Sequence, residues 1–166
     1  VTVIDAENEV VIETALQSID LDTQQIKVLG QTASIDSSSL LSDDRLIDSE
    51  MLSLSDFAVG DSVLVVTRKE NNGQLTAVRL SKIDTLTNTF IVGFPENIDA
   101  QEGTITMLSQ TVYSNNAEFF DSDEESISKA EFFSQASELG LEVFIIGGVR
   151  SDGVFDATLL ELVGAD

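Results

Sequence analysis

The sequence predicts a mainly β chain: two tandem small barrels of the OB or SH3-like kind, about five strands each, with a short helix before strand four. Three observations carry that prediction. The chain matches itself at an offset of 79 residues, rising to 80 in the later part of the copy. Short apolar runs alternate with polar residues at a period of two. An Asn-Gly pair at Asn72-Gly73 and an Asp-Gly pair at Asp152-Gly153 stand at matching places between the last two apolar runs of each copy, where a hairpin needs residues that accept positive φ.

The self-match is dense between Ile12–Thr32 and Ile91–Thr111. Ile12/Ile91, Ile19/Ile98, Asp20/Asp99, Ile26/Ile105, Leu29/Leu108, Gln31/Gln110 and Thr32/Thr111 are identical. One residue is then gained in the second copy, and Gly60/Gly140, Val63/Val143, Gly73/Gly153, Ala77/Ala157 and Leu80/Leu160 coincide. Matches fall on apolar and glycine positions while the polar filler drifts, as a shared core and shared turns require. The domains are therefore expected at 10–84 and 85–166. Residues 1–9 form a third segment, because Val1-Thr2-Val3-Ile4-Asp5 resembles Leu80-Ser81-Lys82-Ile83-Asp84, the closing strand of the first copy. The chain opens with Val1 rather than Met, which predicts a processed or excised segment.

Taken in order, Ile12, Thr14 and Leu16 alternate with Glu13, Ala15 and Gln17 as a half-buried strand does. Asp20-Leu21-Asp22-Thr23 supplies a turn, Gln25 to Leu29 a second strand, and Gly30 a bend before Thr32 to Ile35. Ser62 to Arg68 and Gln74 to Lys82 form the closing hairpin, matched in the second copy by Glu142 to Val149 and Val154 to Leu162. Ile146-Gly147-Gly148-Val149 lies inside a strand and reads as a bulge. Before strand four, Ser128-Lys129-Ala130-Glu131 fits a capping box. Phe132, Phe133, Ala136 and Leu139 follow at helical spacing, and Gly140 can end the helix in the left-handed region. The first copy has Ser53 to Gly60 there, which predicts a shorter turn. Closure favours a barrel, since a sheet of about 80 residues with open edges buries little apolar area and invites aggregation. A β-sandwich spread across both copies is the alternative.

These residues carry a family resemblance. Ile19-Asp20, Ile26 to Gly30, Val59 to Val63 and Asn72 to Ala77, with Phe119-Phe120-Asp121, Ile127 to Phe133 and Asp152 to Ala157 in the second copy, resemble a bacterial domain of unknown function. That domain occurs in tandem in secreted and lipid-anchored cell-envelope proteins. The resemblance covers nearly all of residues 10 to 163, and its motifs are turn glycines, strand apolars and a helix start. It implies an extracytoplasmic, multi-copy, OB-like module and says nothing about chemistry. The first copy departs from it by lacking the Phe-Phe helix motif.

Composition sets the exclusions. The chain carries a net charge of −22 and has no Cys, His or Trp. Disulfides, thiolate chemistry, haem and zinc sites of the His/Cys type, and imidazole catalysis all fall away. A surface this negative repels phosphate backbones, so no nucleic-acid partner is expected. The longest apolar runs, Val63–Val66 and Val143–Ile146, are too short to span a bilayer. The acids are spread evenly, with net charges of −9 over residues 1–84 and −13 over 85–166, as on the solvated faces of two folded units.

Asp121, Asp123, Glu124 and Glu125 form the densest acidic cluster and the candidate calcium ligands. The cluster starts like an EF-hand loop, but Ser126 stands where glycine is required and Phe132 where the closing glutamate is required. A solvated loop ahead of a helix N-terminus is the favoured reading, and no cofactor is expected. No spacing singles out a catalytic carboxylate pair, and no aspartic-protease triplet or phosphate loop is present. Phe119, Phe120, Phe132 and Phe133 read as core rather than as an aromatic platform for carbohydrate. The chain is thus expected to be a non-enzymatic, secreted or cell-surface bacterial repeat with a structural, adhesive or self-assembly role. Its expected partners are copies of itself or neighbouring envelope proteins, met through edge strands. Binding of calcium or a polysaccharide is the alternative.

Overall fold

Alternation becomes structure at the first strand: β1 (Glu9–Ala15) buries Val10, Ile12 and Thr14 and turns the residues between them outward. The structure is a computed structural model that describes residues 9–46, 50–86, 88–108, 110–150 and 154–164. The segment expected to be an extra strand at Val1–Asp5 and the turn at Ser151–Gly153 lie outside the described residues. The protein is mainly β, with one α-helix among the described residues, and it divides between Thr89 and Phe90 into two compact units.

In the first unit β1 is followed by β2 (Ser18–Asp20), β3 (Gln25–Val28), β4 (Gln31–Ser34), β5 (Leu40–Asp43) and the two-residue β6 (Glu50–Met51). A single 3-10 turn over Leu54–Asp56 leads to the long hairpin β7 (Ser62–Lys69) and β8 (Leu75–Lys82). The sheet order is β1-β7-β8-β4-β3-β2, antiparallel except where β8 runs parallel to β4 and β5. The strand expected as one piece from Ile12 is broken at Leu16 and Gln17, and its halves serve opposite ends of this order. Leu16 N donates to Asp61 O at 2.9 Å, beside β7, and Gln17 N donates to Lys27 O at 2.9 Å, on β3. The strand expected at Thr32 to Ile35 is β4, and β5 is a further strand that the sequence reading did not place; both are held by β8.

The second unit repeats the order. It contains β9 (Thr89–Gly93), β10 (Asn97–Asp99), β11 (Thr104–Met107), β12 (Gln110–Tyr113), β13 (Glu118–Phe120), α1 (Lys129–Leu139), β14 (Glu142–Val149) and β15 (Phe155–Val163). Its strands run β9-β14-β15-β12-β11-β10, with β12 and β13 parallel to β15. Residue partners correspond as well: Ala33↔Leu75 and Ser34↔Thr76 in the first unit are matched by Val112↔Phe155 and Tyr113↔Asp156. Glu96 N donates to Thr106 O at 2.8 Å, as Gln17 does to Lys27. Pro95 takes the place of Leu16 and has no N–H to give.

Turns explain two of the identical pairs. Asp20 accepts from the backbone N–H of Asp22 and Thr23 at 3.0 and 3.1 Å, and Asp99 accepts from Gln101 and Glu102 at 3.0 Å each. Each aspartate closes the turn into the next strand. Leu29 and Leu108 stand at φ 50° and 51°, in the left-handed region, yet both are buried. A non-glycine residue there costs about 1–2 kcal/mol, and burying a leucine returns about 1.5–3 kcal/mol. The side chain is therefore what holds the turn, and β3 ends at Val28, one residue before the expected end at Leu29.

The space ahead of strand four is filled differently in the two units. The 3-10 turn of the first buries Leu54, and Phe57 is buried just beyond it. In the second, Ser128 Oγ accepts from Glu131 N at 3.1 Å and the Glu131 carboxylate accepts from Ser128 N at 3.0 Å, so α1 starts on the expected capping box. Gly140 ends it at φ 59°. Phe132 and Phe133 are buried against Phe119, with ring centroids 5.2 to 6.2 Å apart. Three of the four phenylalanines read as core lie in it, and Phe120 alternates to the opposite side, half-buried.

Candidate functional site

The acidic loop turns the Asp121 carboxylate on its own backbone. Asp121 accepts from the backbone N–H of Asp123 and of Glu125, each at 2.9 Å, and Glu124 N donates to Asp121 O at 3.1 Å. Glu124 sits at φ 62°, completing a tight turn before Ser126 bridges back to Phe120. The loop brings Asp121, Asp123, Glu124 and Glu125 together in sequence. Among the described residues, no three acidic side chains converge in the way an oxygen-ligated cation demands.

Asp43 and Asp44 anchor a polar network at the ends of β5 and β8. Arg45 Nε and Nη2 reach the two oxygens of Asp43 at 2.8 and 2.7 Å, and this two-point contact holds the Asp43 carboxyl down at about 2. Arg79 donates to Asp44, and Ser42 Oγ donates to the same carboxylate at 2.9 Å. The buried Ser42 and Ser81 hydroxyls meet at 2.8 Å. Lys82 stands 3.7 Å from Asp61 and lies over the Phe57 ring. Three of the first unit's cations are thereby neutralised locally. Periodicity could not announce the Arg79–Asp44 and Ser42–Ser81 contacts, whose partners lie 35 and 39 residues apart.

Among the described residues, Glu161 is the one carboxyl whose proton affinity is raised; desolvation is the larger cause and the nearby Glu124 charge the smaller. Its place explains the burial. Glu161 pairs in register with Phe144 on β14 and Phe120 on β13.

Two grooves remain. An open one of about 650 Å³ follows α1 past Ala100, Ala130 and Phe133, with Lys129 and Glu138 along it. A smaller one of about 410 Å³ lies on the first unit where β3, β4 and the β7–β8 turn meet. Its lining is amide and hydroxyl: Gln25, Gln31, Thr32, Ser34 and Gln74, with Leu75 beneath. Gly30 and Gly73 border it at φ 76° and 84°, and a Cβ on either would enter open space. Neither a carboxylate nor a cation lines it. At the equivalent register of the second unit, Tyr113 replaces Ser34 and Val154 replaces Gln74. There the Arg150 guanidinium lies 5.9 Å from the Tyr113 ring centre and pairs with Asp156 at 3.1 Å. Sequence comparison of the copies contained this difference, but only strand pairing brings its residues to one place.

Residues 15–81, within the first unit, match the family model of a domain of unknown function (DUF5666). No curated protein and no solved structure matches the chain.

Proposed function

We propose that the chain is a non-catalytic, extracytoplasmic repeat whose two units are small OB-like barrels, serving as a structural, adhesive or self-assembly module of a bacterial cell envelope. The observation that carries this reading is where the two units agree. Strand order, strand register, the Asp20/Asp99 turns and the Leu29/Leu108 turns are common to both, and every one of them builds core or connection. The break at Leu16–Gln17 lets the first strand pair at both ends of the sheet order, which favours a partly open barrel over a sandwich. Assembly is read from the edges: among the described residues, β6 pairs only with β5, and Met51 on it is exposed.

Cell fractionation of the native host, with light scattering of the purified chain over a range of concentrations, tests the proposal. Recovery with the envelope or the medium, and a mass that grows with concentration, would support it. A cytoplasmic protein that stays monomeric would refute it. Among the described residues, no helix is long and apolar enough to cross a membrane.

A further inference from the structure

We infer that the groove between β3, β4 and the β7–β8 turn of the first unit is a binding site for a neutral oligosaccharide. The chemistry of the lining selects the ligand class. Gln25, Gln31 and Gln74 each present an amide with two donors, the Gln25 and Gln74 oxygens already accepting one bond each from Thr23 Oγ1 at 3.4 Å and Asn72 Nδ2 at 3.2 Å, and Thr32 and Ser34 each present a hydroxyl that donates and accepts. Sugar hydroxyls are likewise donor and acceptor at once, so this lining meets them without leaving a group unpaired. A cation would require carboxylates, and an anion would require lysine or arginine; the lining offers neither, and the net charge of −22 opposes anions further. An apolar ligand would strand five polar side chains. At about 410 Å³ the groove falls within the range of small-molecule sites, about 300–1,000 Å³. The open space above Gly30 and Gly73 lets a ring approach the backbone.

The duplication supplies the control. At the same register the second unit carries Tyr113 and Val154, with Arg150 against the tyrosine ring. The fold accepts those side chains, and they remove the amide and fill the place of the hydroxyl. The saccharide site belongs to the first unit alone. It is independent of any scaffold role, which requires no ligand.

The test titrates the whole, isotope-labelled chain with maltohexaose, cellohexaose and laminarihexaose, using hexagalacturonate as the anionic control, and follows amide chemical shifts. At least one neutral sugar is expected to shift the amides of Gln25, Gln31, Thr32, Ser34 and Gln74 saturably, while hexagalacturonate does not. S34Y and Q74V, which install the second unit's residues, are expected to weaken binding at least roughly tenfold, equivalent to about 1.4 kcal/mol. Gln31→Ala, a small change on the groove wall, provides a second variant should either misfold. No saturable shift with any of the three sugars up to about 10 mM, above the millimolar end of measurable affinity, would overturn the inference. So would equal binding by well-folded S34Y and Q74V, shifts confined to other residues, or equal response to hexagalacturonate.

Discussion

Replacing Gly147 by alanine is the sharpest perturbation of the second unit. β14 shifts register against β15 between Ile146 and Gly147, so Gly147 faces Ala157 across a bulge. A Cβ there would stand 2.2 Å from Asp156 O, 2.8 Å from Phe155 Cε1 and 2.9 Å from Ala157 Cα. Two of those atoms are backbone of the paired strand and cannot swing aside. The bulge must therefore open. Overpacking of this kind costs about 1–3 kcal/mol, and a ladder hydrogen bond lost in the opening adds about 0.5–1.5 kcal/mol. The narrower unfolded ensemble of alanine offsets about 0.4–1 kcal/mol. The net destabilisation is about 2 kcal/mol, or roughly 8–16 °C in melting temperature for a unit of this size.

Its neighbour Gly148 meets nothing within 4 Å and is exposed, so Gly148→Ala is the matched control. The chain contains one tyrosine and no tryptophan, and Tyr113 lies in the second unit. Tyrosine fluorescence during urea unfolding therefore reports this unit directly. Gly147→Ala should lower the midpoint clearly, and Gly148→Ala should leave it within about 0.5 kcal/mol of the parent. If the two variants unfold together, the steric argument for the bulge is wrong.

Glu161→Gln should raise the unfolding midpoint at neutral pH. The folded state raises this carboxyl's proton affinity, so the charged form is penalised above the folded pKa, and the penalty disappears as pH falls below the unfolded value of about 4.3; parent and variant should converge there in a pH series. Asp43→Asn has the opposite sign. Arg45 depresses the Asp43 pKa to about 2, so its contribution is present above about 3.9, fades as pH falls towards 2, and the two melting curves should merge at that acid end. Ser128→Ala removes the acceptor for Glu131 N and should cost about 1 kcal/mol, read in the same tyrosine signal. Calcium added against chelator should leave the melting temperature unchanged, because the Asp121 carboxylate is engaged by two backbone N–H groups; a rise of several degrees would mean that the loop rearranges around an ion.

Much of this architecture is legible in the sequence where local physics decides it. Alternation placed Ile12 and Thr14 on one face, and the Ser128–Glu131 box and Gly140 bounded α1, because capping and period are properties of a few adjacent residues. Leu29 misleads the same reading. An apolar residue after Ile26 and Val28 extends a strand pattern, while its positive φ is repaid by burial that only the assembled core provides. Asp44 gives no local sign of its partner, since Arg79 reaches it from a parallel strand. The groove at Gln25, Ser34 and Gln74 was invisible for that reason too: its walls meet only through the parallel pairing of β4 with β8.

A duplicated fold separates structural constraint from everything else, because the same backbone must be satisfied twice. Where both copies keep a residue, as at Asp20/Asp99 and Leu29/Leu108, the turn geometry accounts for it. Where they differ at equal register, the fold has shown that it tolerates either choice. Thr67 is buried with its hydroxyl donating to Val10 O at 3.1 Å, whereas Gly147 at the equivalent position is forced by the approach of Asp156; these are two solutions to one bulge. Ser34 and Gln74 against Tyr113 and Val154 are different in kind, since no backbone demand separates them. Their divergence turns an open, uncharged, hydrogen-bonding surface into one covered by a tyrosine and an ion pair. A ligand of the first unit's groove therefore cannot be shared by the second, and a chain of such repeats would carry its sites only on the copies that keep a small hydroxyl and an amide at these two positions.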